Sequence, residues 1–220
     1  MLFVLFLSLS AGFSAIAVDF GGAIITPQMH PDDGLLVIEQ NLALLNRTVA
    51  EARNQHKTED LLLAFPEDCL TGPIFSSRQS IAPYLQALPQ VGSVPARNDS
   101  LIVYVLSEIA KENQVFLVVG LPEKGADSKQ FNTVVAFAPM GTLVGRARKA
   151  HLYFEPQFDA GPPEQPERLF RTPFGTVGMC GKQIKTRISE LWFEKFLIQF
   201  ALMSCFRMSC LGTWCVQTSL

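Results

Sequence analysis

Metal-binding and redox motifs are missing from this chain. Its five cysteines, Cys69, Cys180, Cys205, Cys210 and Cys215, are odd in number and contain no Cys-x-x-Cys pair. That excludes a disulfide framework, and without a His-Glu-x-x-His run there is no zinc motif either. Histidine is scarce, and His30, His56 and His151 are scattered, with only His151 near a stretch of interest. No metal or cofactor is therefore expected. Charged residues make up 17% of the chain, with a net charge of −2, and the basic ones cluster only at Arg146, Arg148 and Lys149. A nucleic-acid partner is excluded on that balance. There is no internal repeat and no low-complexity tract. The apolar stretch Leu191–Leu211 is interrupted by Glu194, Lys195, Gln199 and Arg207, whereas a membrane span needs about 20 residues with few charges.

What is present is a globular composition, 48% hydrophobic over 220 residues, enough for one domain with a substantial core. Met1–Ala17 is apolar and almost uncharged and ends in Ala15-Ile16-Ala17, a small-x-small cleavage pattern. It reads as a secretory signal peptide without the usual positive start, the other reading being a buried first strand or an uncleaved anchor. Two Asn-x-Ser/Thr sites, at Asn98 and Asn46, fit an extracellular route as candidate N-glycosylation sites. Asn98 sits in a polar loop and is the better candidate; Asn46 falls within a helical pattern.

The pattern of elements is mixed α/β. Ala23–Thr26 reads as a strand. A helix capped by Asp32 or Asp33 runs to about Arg53, with Leu35, Ile38, Leu42, Leu45, Val49 and Ala52 on one face. Leu61–Phe65 is an apolar run of strand length without alternation, the mark of burial on both faces. A short helical piece lies around Ile81, Tyr84 and Leu85. A second helix, about Leu101–Asn113, carries Ile102, Val105, Leu106 and Ile109 on one face. Val115–Val119 is a buried strand, Phe131–Ala138 and Thr142–Ala147 form a hairpin about Pro139-Met140-Gly141, and Phe174–Met179 is the last strand.

Two stretches carry chemistry. "LLLAFPEDCLTG" ends its strand at Pro66 and places Glu67 just beyond it. "GRARKAHLYFEPQFDAG" follows another strand with Lys149, flanking aromatics and Glu155. A lysine at a strand exit can be held partly desolvated, where its ammonium stabilises an oxyanion far better than in water. The bland alternative puts Lys149 on a basic surface rim with Arg146 and Arg148. Together with "QFNTVVAF" and "FGTVGM", these stretches resemble the carbon–nitrogen hydrolase (nitrilase) superfamily, and within it the biotinidase and vanin (pantetheinase) branch. The resemblance runs from about Ala23 to Met179.

The resemblance implies a partial α-β-β-α sandwich and hydrolysis of non-peptide, linear amides of small molecules by a Glu–Lys–Cys triad. On this chain Glu67 would be the general base and Lys149 the oxyanion-stabilising lysine, with Glu155 a weaker candidate for an orienting carboxylate. The nucleophile would fall at position 182, which is Lys182 here. Cys180 stands two positions early, on an extended strand a displacement of about 6.6–6.8 Å, while attack needs about 3–3.5 Å. It is a poor nucleophile candidate.

The expected organisation is a signal peptide at 1–17, the N-terminal part of a carbon–nitrogen hydrolase domain at 18–180, and an unrelated apolar and basic tail at 181–220. On that reading the domain is truncated in its C-terminal half. The tail would be a helix with an over-wide apolar face that covers exposed sheet or mediates self-association or membrane-surface contact. The protein is then either a secreted amide hydrolase or a catalytically inactive secreted relative that acts by binding, with a product lacking a stable role as the third reading.

Overall fold

The computed structural model describes residues 34–57, 60–65, 67–72, 75, 77–152, 154–173, 175–181 and 197–200. The expected signal peptide, the Ala23–Thr26 strand and most of the tail lie outside them. The chain runs α1 (Gly34–Gln55), β1 (Leu62–Ala64), α2 (Arg78–Ile81) with a 3-10 turn at Ala82–Tyr84, α3 (Leu101–Glu112), β2 (Phe116–Lys124), β3 (Gln130–Phe137) and β4 (Leu143–Arg148). After a 3-10 turn at Pro166–Arg168 come β5 (Leu169–Thr172), β6 (Gly175–Gly181) and β7 (Leu197–Phe200).

Two sheets stack, one of order β1-β2-β3-β4 and one of order β5-β6-β7. β1 pairs with β2 in parallel, which requires the crossover that α3 supplies. β2, β3 and β4 then follow as antiparallel hairpins. Alternation along the strands sends residues to two cores. Leu63, Leu117, Val119, Val135 and Phe137 face the helices, where they meet Leu45, Val49 and Ala52 of α1 and Leu106, Ile109 and Ala110 of α3. Leu62, Val118, Val134, Ala136 and Ala147 face the second sheet and meet Phe170, Val177 and Met179. Burial on both faces explains the unbroken apolar runs of β1 and β2. Among the described residues this gives helix, sheet and sheet layers of the α-β-β-α sandwich.

One boundary, one face and the described part of the tail differ from expectation: Leu197–Phe200, expected in a helix, is strand β7, paired in parallel with β6. β2 continues beyond Val119 through Pro122 to Lys124. The Pro122 carbonyl accepts from the Gln86 N–H (2.9 Å), on the side away from β3. The missing proline N–H points that way too, so no bond to β3 is lost. α3 is capped by Ser100, whose hydroxyl accepts from the Val103 N–H. It buries Val103, Leu106, Ser107, Ile109 and Ala110, a stripe rotated from the expected one. Ile102 and Val105 only flank the core, and Val105 lines a shallow groove beside Leu42 of α1. β5 was not legible at all: four residues alternating exposed and buried carry too weak a period.

Candidate active site

Glu67, Lys149 and Glu155 come together at one end of the first sheet. β1 delivers Glu67 through the tight turn that follows it, closed by the Gly72 N–H on the Asp68 carbonyl (2.7 Å). Asp68 sits there at φ +54°, a left-handed conformation that aspartate tolerates better than most residues. β3 and β4 deliver the cation. Their register pairs Val134 with Ala147 and Thr133 with Arg148, and the Lys149 N–H continues the ladder onto the Asn132 carbonyl at 2.8 Å. Period two then sorts the basic residues. Arg146 and Arg148 share the helix-side face with Val135 and Thr133, while Lys149 lies with Ala147 and Asn132 on the other. The basic-rim reading of Lys149 is thereby corrected: it is 5% exposed, on the face opposite the two arginines.

The Lys149 ammonium donates to Glu67 Oε1 (3.1 Å) and to Glu155 Oε1 (3.0 Å), with Glu155 Oε2 at 2.8 Å. Asn132 is the member that the motifs did not single out. It is 2% exposed, and its side-chain nitrogen donates to both Glu67 Oε1 and Glu155 Oε1. The signal available in the sequence was Asn132-Thr133, two adjacent polar residues inside the apolar run of β3, which must therefore occupy both faces.

Electrostatics follow from two carboxylates sharing one cation. Burial pushes the Glu67 carboxyl above its usual value, aided by the Glu155 charge and opposed by Lys149 and the Asn132 amide. Burial alone would pull Lys149 down, yet Glu67 and Glu155 outweigh it and hold the ammonium above its usual value. Asp68 is raised well above its usual value, first by burial and then by the Glu67 and Glu155 charges.

The Cys180 backbone lies in β6 opposite Gln199, and its thiol is outside the description. Cys69 is buried among the helix-side residues, and burial pushes its thiol up, away from thiolate chemistry. His151 is exposed. Asn98 is exposed in a turn, whereas Asn46 is half-buried in α1 and the Thr48 hydroxyl of its sequon is tied to the Leu44 carbonyl at 3.0 Å. Lys182 lies outside the described residues. Among the described residues no group of three His, Cys, Asp or Glu could hold a metal ion.

A second polar cluster braces β4 from the helix side. Glu123, 2% exposed, accepts from Arg148 Nη2 (2.6 Å) and Nε (3.0 Å) and from the Thr133 hydroxyl (2.7 Å). Arg146 bonds Glu167 at 2.6 Å. Gln165 accepts from the Arg148 N–H and donates to the Arg148 carbonyl. Gly161 then lies against Arg148 so closely that an added Cβ would stand 2.9 Å from its carbonyl oxygen.

A buried ammonium between two carboxylates, at the strand ends of a layered α/β fold, defines the class. The carbon–nitrogen hydrolase family profile matches residues 25–207, reaching past Met179 where the sequence motifs stop. The chain belongs to that family. It is 32% identical over 190 residues to a pantetheine hydrolase of Homo sapiens, covering 76% of this chain and 35% of that protein. To the biotinidase of Rattus norvegicus it is 38% identical over 165 residues, 66% of this chain and 31% of that one. The chain thus spans about a third of the length of these relatives. Among solved structures its fold is similar to Nit3 of Saccharomyces cerevisiae, of branch 10 of the nitrilase superfamily (TM-score 0.51, 23% identity, 66% of this chain and 49% of that one).

Proposed function

We propose that this site is built for the hydrolysis of linear carboxamides of small metabolites, as in the pantetheine hydrolase and biotinidase relatives. In that chemistry a carboxylate takes the proton of a thiol, the thiolate attacks the amide carbon, and the tetrahedral oxyanion is held by a cation until water opens the thioester. Glu67 is the base, Lys149 the oxyanion-stabilising cation and Glu155 the carboxylate that orients it. The observation carrying this reading is the convergence of Glu67 and Glu155 on the Lys149 ammonium, at 3.1 and 2.8 Å. Desolvation there strengthens each interaction, and the raised Glu67 carboxyl makes it the stronger base.

A second reading concerns turnover, and Lys182 favours it. Where the motif calls for the nucleophilic cysteine, this chain has a lysine. On that reading the chain recognises a carboxamide without cleaving it. Purified protein, titrated calorimetrically with pantetheine-like and biotin-amide ligands and assayed with and without a thiol alkylator, tests both parts. Saturable binding that disappears in Lys149→Met, with no thiol-sensitive turnover, is the expected result. Absence of binding overturns the carboxamide assignment. Alkylator-sensitive turnover that is lost in Cys180→Ala overturns the loss of the nucleophile. The same proposal makes the protein secreted, with cleavage after Ala17 and a glycan on Asn98. Mass spectrometry of the cell-associated product retaining Met1 would count against it.

A further inference from the structure

We propose that Asn132 is the positioning residue of this site: its side-chain amide locks one oxygen of Glu67 and leaves the other, Oε2, as the atom open to take up a proton. The inference rests on the carboxamide-hydrolase reading for what that proton belongs to, but not for the geometry. The two carboxylates are held unequally. Glu155 is engaged through both oxygens, Oε1 by Lys149 and Asn132 and Oε2 by Lys149. Glu67 takes both of its donors, Asn132 and Lys149, on Oε1, and its Oε2 has no hydrogen-bond partner in the described structure. A base needs a free lone pair, and an orienting group does not; the division of labour follows from that count.

Asn132 suits the task better than another cation would. Its Nδ2 carries two N–H bonds, and the two acceptors it meets belong to different carboxylates. It therefore bridges Glu67 to Glu155 without adding charge, and it cannot give up a proton in place of the nucleophile. Its backbone carbonyl accepts from the Lys149 N–H at 2.8 Å, so one residue fixes all three charged groups. Burial at 2% exposure within β3 leaves its side chain little freedom to turn away. The charged groups facing Glu67 are Lys149 from the end of β4, Glu155 from the loop beyond it and Asp68 from its own turn. Of these three only Lys149 is a charged donor, so the uncharged donor shared by Glu67 and Glu155 is Asn132.

The test reads Glu67 directly and needs no turnover. In chain labelled with carboxyl-13C glutamate, the Glu67 signal is assigned by its absence in Glu67→Gln and titrated in the wild type and in Asn132→Leu, a near-isostere without donors. Loss of a donor to the charged form should move the Glu67 midpoint upward by about one pH unit or more, with the folded near-ultraviolet spectrum retained. An unmoved midpoint in a folded variant overturns the proposal. Should Asn132→Leu fail to fold, the wild type suffices. The Asn132 Nδ2 protons should then shift in step with the Glu67 titration, and protons indifferent to it overturn the proposal equally. Carboxamide binding is scored separately. A moved midpoint without binding leaves the role of Asn132 standing and removes the substrate assignment; binding with an unmoved midpoint does the reverse.

Discussion

Lys149 sits between two carboxylates with almost no access to water, and its removal has a definite sign. In Lys149→Met, Glu67 and Glu155 lose their cation in a buried setting, which should cost about 3–5 kcal/mol at neutral pH. The folded-state midpoint of Glu67, already raised by burial, would then rise further above its unfolded value. Stability lent by a raised carboxyl is present below the unfolded pKa and lost as pH climbs through the folded one. Urea unfolding of Lys149→Met should therefore give a higher midpoint at pH 5 than at pH 8. Asp68 obeys the same rule without being a member of the hydrogen-bonded triad. Its carboxyl is held well up by burial and by the Glu67 and Glu155 charges, so Asp68→Asn, which keeps the shape and tolerates φ +54°, should stabilise the chain at pH 7 by on the order of 1 kcal/mol. The gain should vanish toward pH 4, and a denaturation series across pH 4–8 checks it. At this scale Glu67, Lys149 and Glu155 were legible because they stand in fixed motifs beside strand ends. Asn132 was not, since nothing local distinguishes a buried asparagine that donates to two carboxylates from one that merely pairs within a strand. Only the register opposite Lys149 decides it.

Among the elements, β4 carries the most consequence per residue. Its helix-side arginines are tied to Glu123 and Glu167, and the Phe131 ring lies 4.1 Å under the Arg148 guanidinium. Glu123→Gln keeps the volume but leaves two guanidinium groups facing a neutral amide, and should cost about 3 kcal/mol in equilibrium unfolding. Gly161→Ala tests the other side of the brace. The new methyl would press on backbone atoms of Arg148, and the Gly161 N–H to Lys149 carbonyl bond of 2.8 Å would have to lengthen. Carboxamide binding should weaken about tenfold or more, and stability should fall by about 1–3 kcal/mol; calorimetry paired with urea unfolding reads both. The sequence pattern located α1, α3, β1 and the β3–β4 hairpin because their periods are long or their turns are marked by Pro139 and Gly141. It stopped β2 at Val119, just before Gly120 and Pro122, residue types that weaken a strand pattern. Only the direction of the Pro122 carbonyl, away from β3, shows why proline is harmless there.

Over the whole molecule, two cores share one sheet, and the second sheet approaches it closely at Gly145. A Cβ at that position would stand 2.6 Å from the end of Met179 and 3.1 Å from the Phe170 ring. The sheets close on each other because β4 has no side chain there. Gly145→Val should force them apart at a cost of about 1–3 kcal/mol, read as a lowered thermal midpoint. The layered architecture was legible from strands that lack alternation, since burial on both faces demands a layer on each side. The pairing of β5 with β6 was not, because it is set by contact with the first sheet rather than by local preference. One consequence lies in the order of assembly. Asn132, Lys149 and Glu155 are neighbours along a meander of hairpins, which closes early because its loops are short. Glu67 arrives on a parallel strand whose register, Leu62 against Phe116, waits for a long crossover. Glu67 is thus the last piece to reach its station, and a half-folded chain holds the Lys149 ammonium in place before that carboxylate arrives.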